Sequence, residues 1–263
     1  MRESLTSFHL RSPVTDLAVK ERRPNLLFKH FPKCAGSYAK GLMDAAVPGH
    51  KLEPESGSVT KKSWIENYVI SVIREPCDWY VSLWAFGSSQ HGKLYVTFTE
   101  KEPDDVVDYY GESPPYQNPA DIAKFEKFVT GKYTRGDHTA RFLSSFSEVP
   151  WVDCWINTAN LAEDALSCLR AFEEQGGQVH WDRVNAFLDS RRKLAAAGRA
   201  NTSPHGPCQS YYSADLANYM RNESFDAPMY DYFQWADCCG GHCCPICGID
   251  LSANQTTNGL CDS

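Results

Sequence analysis

Short apolar runs alternate with longer amphipathic stretches along this chain. Three runs have the length and composition of buried strands, near Leu26–Phe31, Val69–Ile73 and Val152–Ile156. Apolar residues at helical spacing predict helices near Ser37–Ala46, Cys77–Phe86, Ile122–Val129, Thr139–Ser144, Asn160–Glu174, Arg183–Ala197 and Ala214–Asn222. Because strands alternate with helices, the pattern predicts an α/β fold. A mostly parallel sheet flanked by helices then binds its ligand at the carboxyl ends of the strands.

The first predicted strand leads directly into a small basic loop and a helix start. This segment reads Phe31-Pro32-Lys33-Cys34-Ala35-Gly36-Ser37-Tyr38. Pro32 stops the strand, and the small residues after Lys33 let a helix begin with open backbone N–H groups, which can bind an anion. Because Lys33 precedes Gly36, the order differs from the loop of nucleoside triphosphatases, in which the lysine follows the glycine. The segment predicts a phosphate-like anion site of another class.

A second segment has an arginine at a predicted strand end. Arg74 follows the run Val69–Ile73, Pro76 stands where the first turn of a helix tolerates proline, and Ser82 comes eight residues after the arginine. The guanidinium can bind a phosphate through two hydrogen bonds, and a serine about two helical turns later can donate from the same side. This segment therefore also predicts a phosphate contact.

Both segments resemble the cofactor motifs of sulfotransferases that use 3′-phosphoadenosine 5′-phosphosulfate (PAPS), particularly the carbohydrate and membrane-associated type. The first is similar to that family's 5′-phosphosulfate loop and the second to its 3′-phosphate motif, in the same order and about 40 residues apart. A looser similarity includes Arg199-Ala-Asn201-Thr-Ser203 and runs to about residue 235. The resemblance implies a P-loop-like, three-layer α/β fold.

The resemblance also implies a reaction, the transfer of a sulfuryl group from PAPS to a hydroxyl of a carbohydrate or small-molecule acceptor, without a catalytic metal. It implies that Lys33 stabilises the leaving 5′-phosphate oxygen, whereas Arg74 and Ser82 bind the 3′-phosphate. The other implied cofactor-binding residues are Cys34, Ala35, Gly36, Ser37 and Tyr38 in the loop, and Arg199, Asn201 and Ser203 over the nucleotide. Cys34 replaces the usual threonine, which removes a hydroxyl that can contact phosphate and predicts either a lower affinity or a site open to oxidation.

The acceptor hydroxyl needs a general base, which family members supply from histidine or glutamate. His50 lies between the two motifs in a Gly-His pair similar to one found in some carbohydrate members, so the resemblance favours it as a catalytic residue. The other candidates are His91, Glu53, Glu55 and His30.

Composition limits the possible partners. The chain has 263 residues, 42% of them apolar, which is enough for one catalytic domain. A net charge of −7 argues against nucleic acid as a partner, so any basic site must be local. The lysines and arginines predicted to form a cationic pocket are Lys29, Lys33, Lys40, Arg74 and Arg199. No apolar run approaches the length of about 18 residues that would predict a membrane-spanning segment.

The cysteines complicate the prediction of the compartment. Of 11 cysteines, six crowd the end of the chain: Cys238, Cys239, Cys243, Cys244, Cys247 and Cys261. Cys244-Pro-Ile-Cys247 has the spacing of a zinc knuckle. The cysteines that could supply the other ligands lie only a few residues before it, whereas zinc sites normally separate their two ligand pairs by about a dozen residues or more. Disulfides or free thiols are therefore favoured over structural zinc. The first 23 residues contain no apolar signal core, which favours the cytoplasm. The cysteine content instead favours an oxidising compartment, such as the Golgi lumen, for a longer precursor.

These features predict an N-terminal extension (1–23), a sulfotransferase domain (24–236) and a Cys-rich tail (237–263). The polar stretches Glu53–Lys62 and Lys101–Pro119 are predicted loops that shape the acceptor pocket. Two other functions remain open. One is a non-catalytic scaffold of the same fold with a Cys-rich interaction tail. The other is a P-loop small-molecule kinase, although the chain lacks the expected lysine and magnesium-binding carboxylate.

Overall fold

The computed structural model describes residues 23–88, 119–131, 135–196 and 205–240. Within these ranges four strands form one sheet, namely β1 (Leu26–Lys29), β2 (Lys51–Glu53), β3 (Tyr68–Ile73) and β4 (Cys154–Asn157). All three pairings are parallel, and the order across the sheet is β2, β1, β3, β4. The predicted parallel sheet of an α/β fold is therefore confirmed.

The helices of the described ranges include all seven that the sequence predicts. Their bounds are α1 (Gly36–Ala46), α2 (Lys61–Glu66), α3 (Pro76–Ser88), α4 (Pro119–Thr130), α5 (Asp137–Phe146), α6 (Leu161–Glu174), α7 (Trp181–Ala196), α8 (Ala214–Asn222) and α9 (Ala227–Phe233). The sequence did not predict β2, α2 or α9, and the predicted loop Glu53–Lys62 contains the end of β2 and the start of α2. All of the second predicted loop except Pro119 lies outside the described residues.

Helices cover both faces of the sheet, as the side chains of β4 show. Cys154 forms a disulfide with Cys168 of α6, whereas the next residue, Trp155, stacks on Phe142 of α5 and packs edge-on against Phe233 of α9. Because successive side chains of a strand point to opposite faces, α6 lies on one face, and α5 and α9 lie on the other. The sheet is therefore the middle of three layers.

The strand order places a topological switch point between β1 and β3, and we call the space outside their carboxyl ends the crevice. From β1 the chain crosses to β2 at one edge of the sheet, whereas β3 is followed in the order by β4 at the other edge. The carboxyl ends of β1 and β3 thus flank the topological switch point, where open parallel sheets bind their ligands. The two segments that carry Lys33 and Arg74 begin at these two ends.

The domain extends slightly beyond the predicted boundaries on both sides. Arg23 is buried and donates two hydrogen bonds to the Asp153 carboxylate, at 2.9 and 2.7 Å, so it belongs to the domain rather than to an extension. At the other end, disulfides join Cys238 to Cys77 and Cys239 to Cys208. None of the helices in the described ranges has the length and apolar character needed to cross a membrane.

Candidate active site

The loop between β1 and α1 has the backbone form of an anion cradle. Lys33 and Ala35 take left-handed conformations, with φ of 62° and 51°, which residues with a β-carbon seldom adopt outside turns of special function. Ala35 is the N-cap of α1, and its methyl side chain cannot accept a hydrogen bond from the first-turn N–H groups. The Ala35 carbonyl accepts from the Tyr38 N–H at 2.9 Å, so the N–H groups of Gly36 and Ser37 are the first-turn donors that the cap does not use, at the positive end of the α1 dipole.

This loop is held by apolar packing against the core and by hydrogen bonds from the segment after β3. Phe31 is fully buried under the loop and packs edge-on against Phe142, with 6.2 Å between the ring centres. Trp79 Nε1 donates to the Pro32 carbonyl at 2.8 Å, and Arg74 Nη1 donates to the Lys33 carbonyl at 2.9 Å. Because both donors follow β3, the second predicted phosphate motif directly fixes the position of the first.

One face of α3 lines the crevice. Asp78, Ser82 and Phe86 follow one another at four-residue intervals, so their side chains lie along one side of the helix. Asp78 accepts a hydrogen bond from Arg74 Nε at 2.7 Å, and Lys33 Nζ lies 3.7 Å from the centre of the Phe86 ring. Ser82 is buried on this helix face, between the residue that holds Arg74 and the residue that holds Lys33.

The charge of Lys33 depends on its surroundings. Burial and the adjacent Arg74 guanidinium lower the pKa of Lys33 to about 8, whereas Glu55 acts in the opposite direction. The ammonium is therefore mostly charged at pH 7 and loses its proton after a small rise in pH. An anion bound beside Lys33 would raise its pKa and keep the charge in place.

His30 and Glu55 form a pair at the mouth of the same loop. His30 Nδ1 lies 3.4 Å from Glu55 Oε1, a distance that can tighten when a ligand binds. The ring of His30 lies against Gly36, since a β-carbon at that glycine would come within 1.5 Å of His30 Nε2. Burial lowers the pKa of His30, so its imidazole is neutral at pH 7. With the proton on Nδ1 facing Glu55, Nε2 has a lone pair beside the first residue of α1.

This crevice can bind an anion and accept a proton. Lys33, Arg74 and the α1 N-terminus supply positive charge and donors, and neutral His30 supplies a base. Neither the family models nor the curated proteins compared with this chain give a match. The chemical interpretation therefore depends on the geometry of the crevice and on its sequence motifs.

Most of the predicted cofactor-binding residues come together at the crevice. They are Lys33, Cys34, Ala35, Gly36, Ser37, Tyr38, Arg74 and Ser82. Arg199, Asn201, Ser203 and the alternative base His91 lie outside the described residues. Helix α7, which comes before Arg199 in the chain, passes the amino end of α1. There the Arg191 guanidinium carbon lies 5.7 Å from the centre of the Tyr38 ring.

Cys34 differs from its predicted character. Its thiol is free but fully buried, and burial raises its pKa, so it stays protonated. A protonated, enclosed thiol is a poor target for oxidants, because the thiolate is the reactive form. The predicted sensitivity of this position to oxidation is therefore wrong, and Cys34 serves as a small apolar residue under the loop.

His50, the favoured base in the sequence, is not brought together with Lys33. It immediately precedes β2, and Lys51 pairs with Leu27 near the start of β1. His50 thus lies at the amino edge of the parallel sheet, whereas the cradle follows its carboxyl edge. Its Nδ1 is 3.1 Å from the Val47 carbonyl, and its Nε2 is buried. We therefore do not assign proton transfer to His50.

The predicted cationic pocket is smaller than expected. Lys40 is half exposed and pairs with Asp44 at 2.7 Å, four residues further along α1. Lys29 is buried, and its Nζ binds backbone carbonyls of the loop after β2. Among the described residues, Lys33 and Arg74 are therefore the members of that pocket that face the crevice.

Two supporting residues were not predicted from the sequence. Glu75 accepts hydrogen bonds from the N–H groups of Cys77 and Asp78, and so caps α3. His138 is fully buried and contacts the Arg74 carbonyl through Nε2 at 3.0 Å, so Nε2 carries the proton. Burial lowers the pKa of His138 to about 3, which keeps it neutral. The acid before Pro76 is a signal for the cap, but nothing in the sequence indicates the role of His138.

Apart from Cys34, the described cysteines near this site form disulfides. Ligand atoms of Glu75, Cys77 and Cys238 lie within 4.8 Å of one another, as in a metal site. However, Cys77 is bonded to Cys238, and Cys239 is bonded to Cys208, so these sulfurs are not thiolate ligands. The alternative of disulfides is therefore favoured for Cys238 and Cys239. The other cysteines of the tail lie outside the described residues.

Proposed function

We propose that this protein transfers a sulfuryl group from PAPS to a hydroxyl of a carbohydrate or small-molecule acceptor. The observation that carries the proposal is the hydrogen bond from Arg74 to the Lys33 carbonyl. It joins two segments that separately resemble the two phosphate motifs of one enzyme family, at the edge of the sheet where such folds bind ligands. Because β1 and β3 are paired neighbours, the sheet brings the two strand ends together, and this hydrogen bond then fixes the guanidinium against the loop.

The charges of the crevice suit a donor with two anionic groups. Lys33 and the open N–H groups of α1 are suited to the phosphosulfate, whereas Arg74 and Ser82 are suited to the 3′-phosphate. Arg74 uses Nε for Asp78 and Nη1 for the Lys33 carbonyl, which leaves Nη2 without a partner in the part of the chain that the structure describes. A guanidinium held in this way is oriented before a phosphate arrives, so less side-chain entropy is lost on binding.

Within this proposal His30 is the general base and Glu55 orients it. The acceptor oxygen attacks the sulfur, the bond from sulfur to the bridging 5′-phosphate oxygen breaks, and the acceptor proton passes to His30 Nε2. Lys33 neutralises the charge that develops on the departing oxygen. The products are the sulfated acceptor and 3′-phosphoadenosine 5′-phosphate (PAP). His50, the base that the sequence favoured, has less support, since it lies at the opposite edge of the sheet.

The kinase alternative has less support from the same site. A kinase needs a carboxylate that can hold magnesium near the phosphates. Glu75, which follows Arg74 directly, is buried and also accepts hydrogen bonds from the Tyr230 hydroxyl and the Cys239 N–H. Both of its oxygens are therefore already used within the fold. The scaffold alternative is an outcome of the experiment that follows.

The proposal is tested by incubating the protein with radiolabelled PAPS and a panel of phenols, alcohols and unsulfated oligosaccharides. We expect label to appear in at least one acceptor, and Lys33→Ala to lower kcat by roughly 10²- to 10³-fold, as for loss of one charge-stabilising group. Lys62→Ala is the matched control, because that lysine is exposed on α2, which leads into the amino end of β3 at the opposite edge of the sheet. Failure of every acceptor, together with no binding of PAP, would favour the scaffold.

A further inference from the structure

Lys29 is a charged residue at the end of β1, one of the two inner strands of the sheet. Its side chain is 0% exposed, and Nζ donates to the carbonyls of Pro54, Glu55 and Gly57 at 2.7, 3.2 and 2.6 Å. An ammonium has three N–H donors, so all of them are used and backbone carbonyls replace water around the charge. Burial lowers the pKa of Lys29 to about 8, opposed by Glu53 and Glu55.

The three carbonyls belong to the loop that follows β2, residues 54–57. The Gly57 N–H donates to the Pro54 carbonyl at 3.0 Å, which closes the loop into a turn. Glu53 packs against the same turn, since a β-carbon at Gly57 would come within 1.6 Å of Glu53 Oε1. The loop is thus folded around one buried ammonium, and the backbone of Glu55 is fixed through its own carbonyl.

Burial of a lysine at this position costs desolvation free energy, and the contacts of its ammonium with the loop offset that cost. The neighbouring residues of β1 are apolar and fully or almost fully buried, and an uncharged side chain would complete the strand without desolvating a charge. The residue that the loop presents to the crevice is Glu55, whose carboxylate faces His30 Nδ1 at 3.4 Å. The 54% exposure of the Glu55 side chain gives its carboxylate little support from packing, so its position depends on the backbone beneath it.

We propose that Lys29 is a positioning residue that acts through Glu55, an inference that rests on the proposed function. Its ammonium sets the 54–57 loop so that Glu55 can orient the His30 imidazole toward the acceptor. Lys29 itself contacts neither donor nor acceptor. Loss of its charge should therefore slow the chemical step without weakening the binding of PAP, since a misplacement of about 1 Å in a supporting group can cost on the order of 10²-fold in rate.

The first experiment is a double-mutant cycle on kcat with Lys29→Met and Glu55→Gln. We expect each single variant to lower kcat by on the order of 10- to 10²-fold and the double variant to be no slower than the slower single one, because the two residues act as one unit. The dissociation constant of PAP should stay within about twofold of wild type. Multiplied losses in the double variant, an unchanged kcat in Lys29→Met, or a parallel loss of PAP binding would overturn the proposal.

A second variant covers the case in which Lys29→Met does not fold. Lys29→Gln keeps a polar side chain whose amide can donate to the same loop carbonyls, but it removes the charge and one donor. We expect it to lower kcat in the same way, whereas Ser56→Ala, at an exposed position in that loop, should keep wild-type kcat. A Lys29→Gln protein with wild-type kcat would contradict the positioning role.

Hydrogen exchange separates this inference from the proposed function. In Lys29→Met, or in Lys29→Gln if the former does not fold, peptides that cover residues 51–60 should exchange faster than in wild type. Peptides from β3 should not change, whatever the protein does with PAPS. An inactive wild-type protein that shows this pattern would refute the sulfotransferase and retain the loop's dependence on Lys29. An active wild-type protein whose loop exchanges equally in both forms would refute the role of Lys29 alone.

Discussion

Lys33 and Arg74 carry positive charge at neighbouring strand ends but differ in how that charge is balanced. Arg74 has a carboxylate partner in Asp78, at 2.7 Å, and so stays in place without a ligand. Lys33 rests on the face of the Phe86 ring, and its burial lowers its pKa to about 8. An aromatic face stabilises a cation less than a phosphate does. Lys33 is therefore the cation with more to gain when an anion binds.

A bell-shaped pH profile follows from the charges of Lys33 and His30. We expect kcat/KM to fall as pH rises through about 8, because free Lys33 loses its proton, and to fall on the acid side as His30 becomes protonated. Burial lowers the pKa of His30, so that acid limb should lie below the ordinary histidine value of 6.5. The profile is measured as initial rates against pH at low PAPS concentration.

Glu55→Gln tests the same assignment by moving both limbs in one direction. The Glu55 carboxylate raises the pKa of both His30 and Lys33, so its removal should shift the acid limb and the alkaline limb to lower pH. Glu66→Gln, a change of the same kind on α2, should leave both limbs in place. An acid limb that does not move would show that the proton acceptor is a different group.

Among the secondary-structure elements, the sequence predicts β1 and β3, whose carboxyl ends lead to the two cations. It does not predict β2, the short strand that lies between them along the chain. The fully buried runs of β1 and β3 mark their own ends, and hence the positions of Lys33 and Arg74. Strand β2 has three residues, two of them exposed, and so shows no apolar alternation. Without that strand, the sequence cannot tell that His50 lies at the amino edge and Glu55 just past the carboxyl edge. For this reason the sequence favoured His50, which the structure places away from Lys33.

Helix α1 should tolerate an added methyl group at one glycine and not at another. Gly36→Ala places a β-carbon within 1.5 Å of His30 Nε2, so we expect it to displace the imidazole and lower kcat by on the order of 10²-fold. Gly41→Ala lies in the same helix and meets only the edge of the Phe187 ring at 2.9 Å, which can shift. Its kcat should stay near wild type. Equal rates in the two variants would remove His30 from the mechanism.

Helix α3 should depend on its buried cap. Glu75→Ala removes the acceptor for three backbone N–H groups, those of Cys77, Asp78 and Cys239, so we expect a loss of about 3 kcal/mol in the free energy of unfolding. Chemical denaturation without reductant measures this loss. The matched change Glu66→Ala, at an exposed ion pair on α2, should cost less than about 1 kcal/mol. A similarly small effect for Glu75→Ala would mean that the cap contributes little.

At the scale of the whole molecule, disulfides fasten the end of the described chain to the helix that carries the site. The Cys77–Cys238 bond links residues 161 positions apart, and Cys77 directly follows the proline that begins α3. The Cys208–Cys239 bond ties the adjacent segment in place. Composition alone predicts that cysteines are numerous, but pairing requires the fold, since Cys77 and Cys238 meet only after the sheet and α9 are assembled.

Peptide mapping under non-reducing conditions tests this arrangement. We expect linked peptides for Cys77 with Cys238, Cys208 with Cys239, and Cys154 with Cys168, and a free thiol at Cys34 that reacts only after unfolding. Cys77→Ser should cost about 2–5 kcal/mol in the free energy of unfolding, a common loss for a native disulfide. Detection of Cys238 or Cys239 bound to zinc in place of these links would contradict the structure.

The most direct test of the central claim is a calorimetric titration with PAP. We expect micromolar binding to the wild-type protein, and a loss of roughly 1.5–3 kcal/mol for Arg74→Ala, as for one charge-assisted hydrogen bond. Adenosine 5′-phosphate, which has no 3′-phosphate, should bind more weakly to wild type and lose little further affinity in Arg74→Ala. If folded wild-type protein binds neither ligand, or binds both equally whether or not Arg74 is present, the crevice is not a PAPS site.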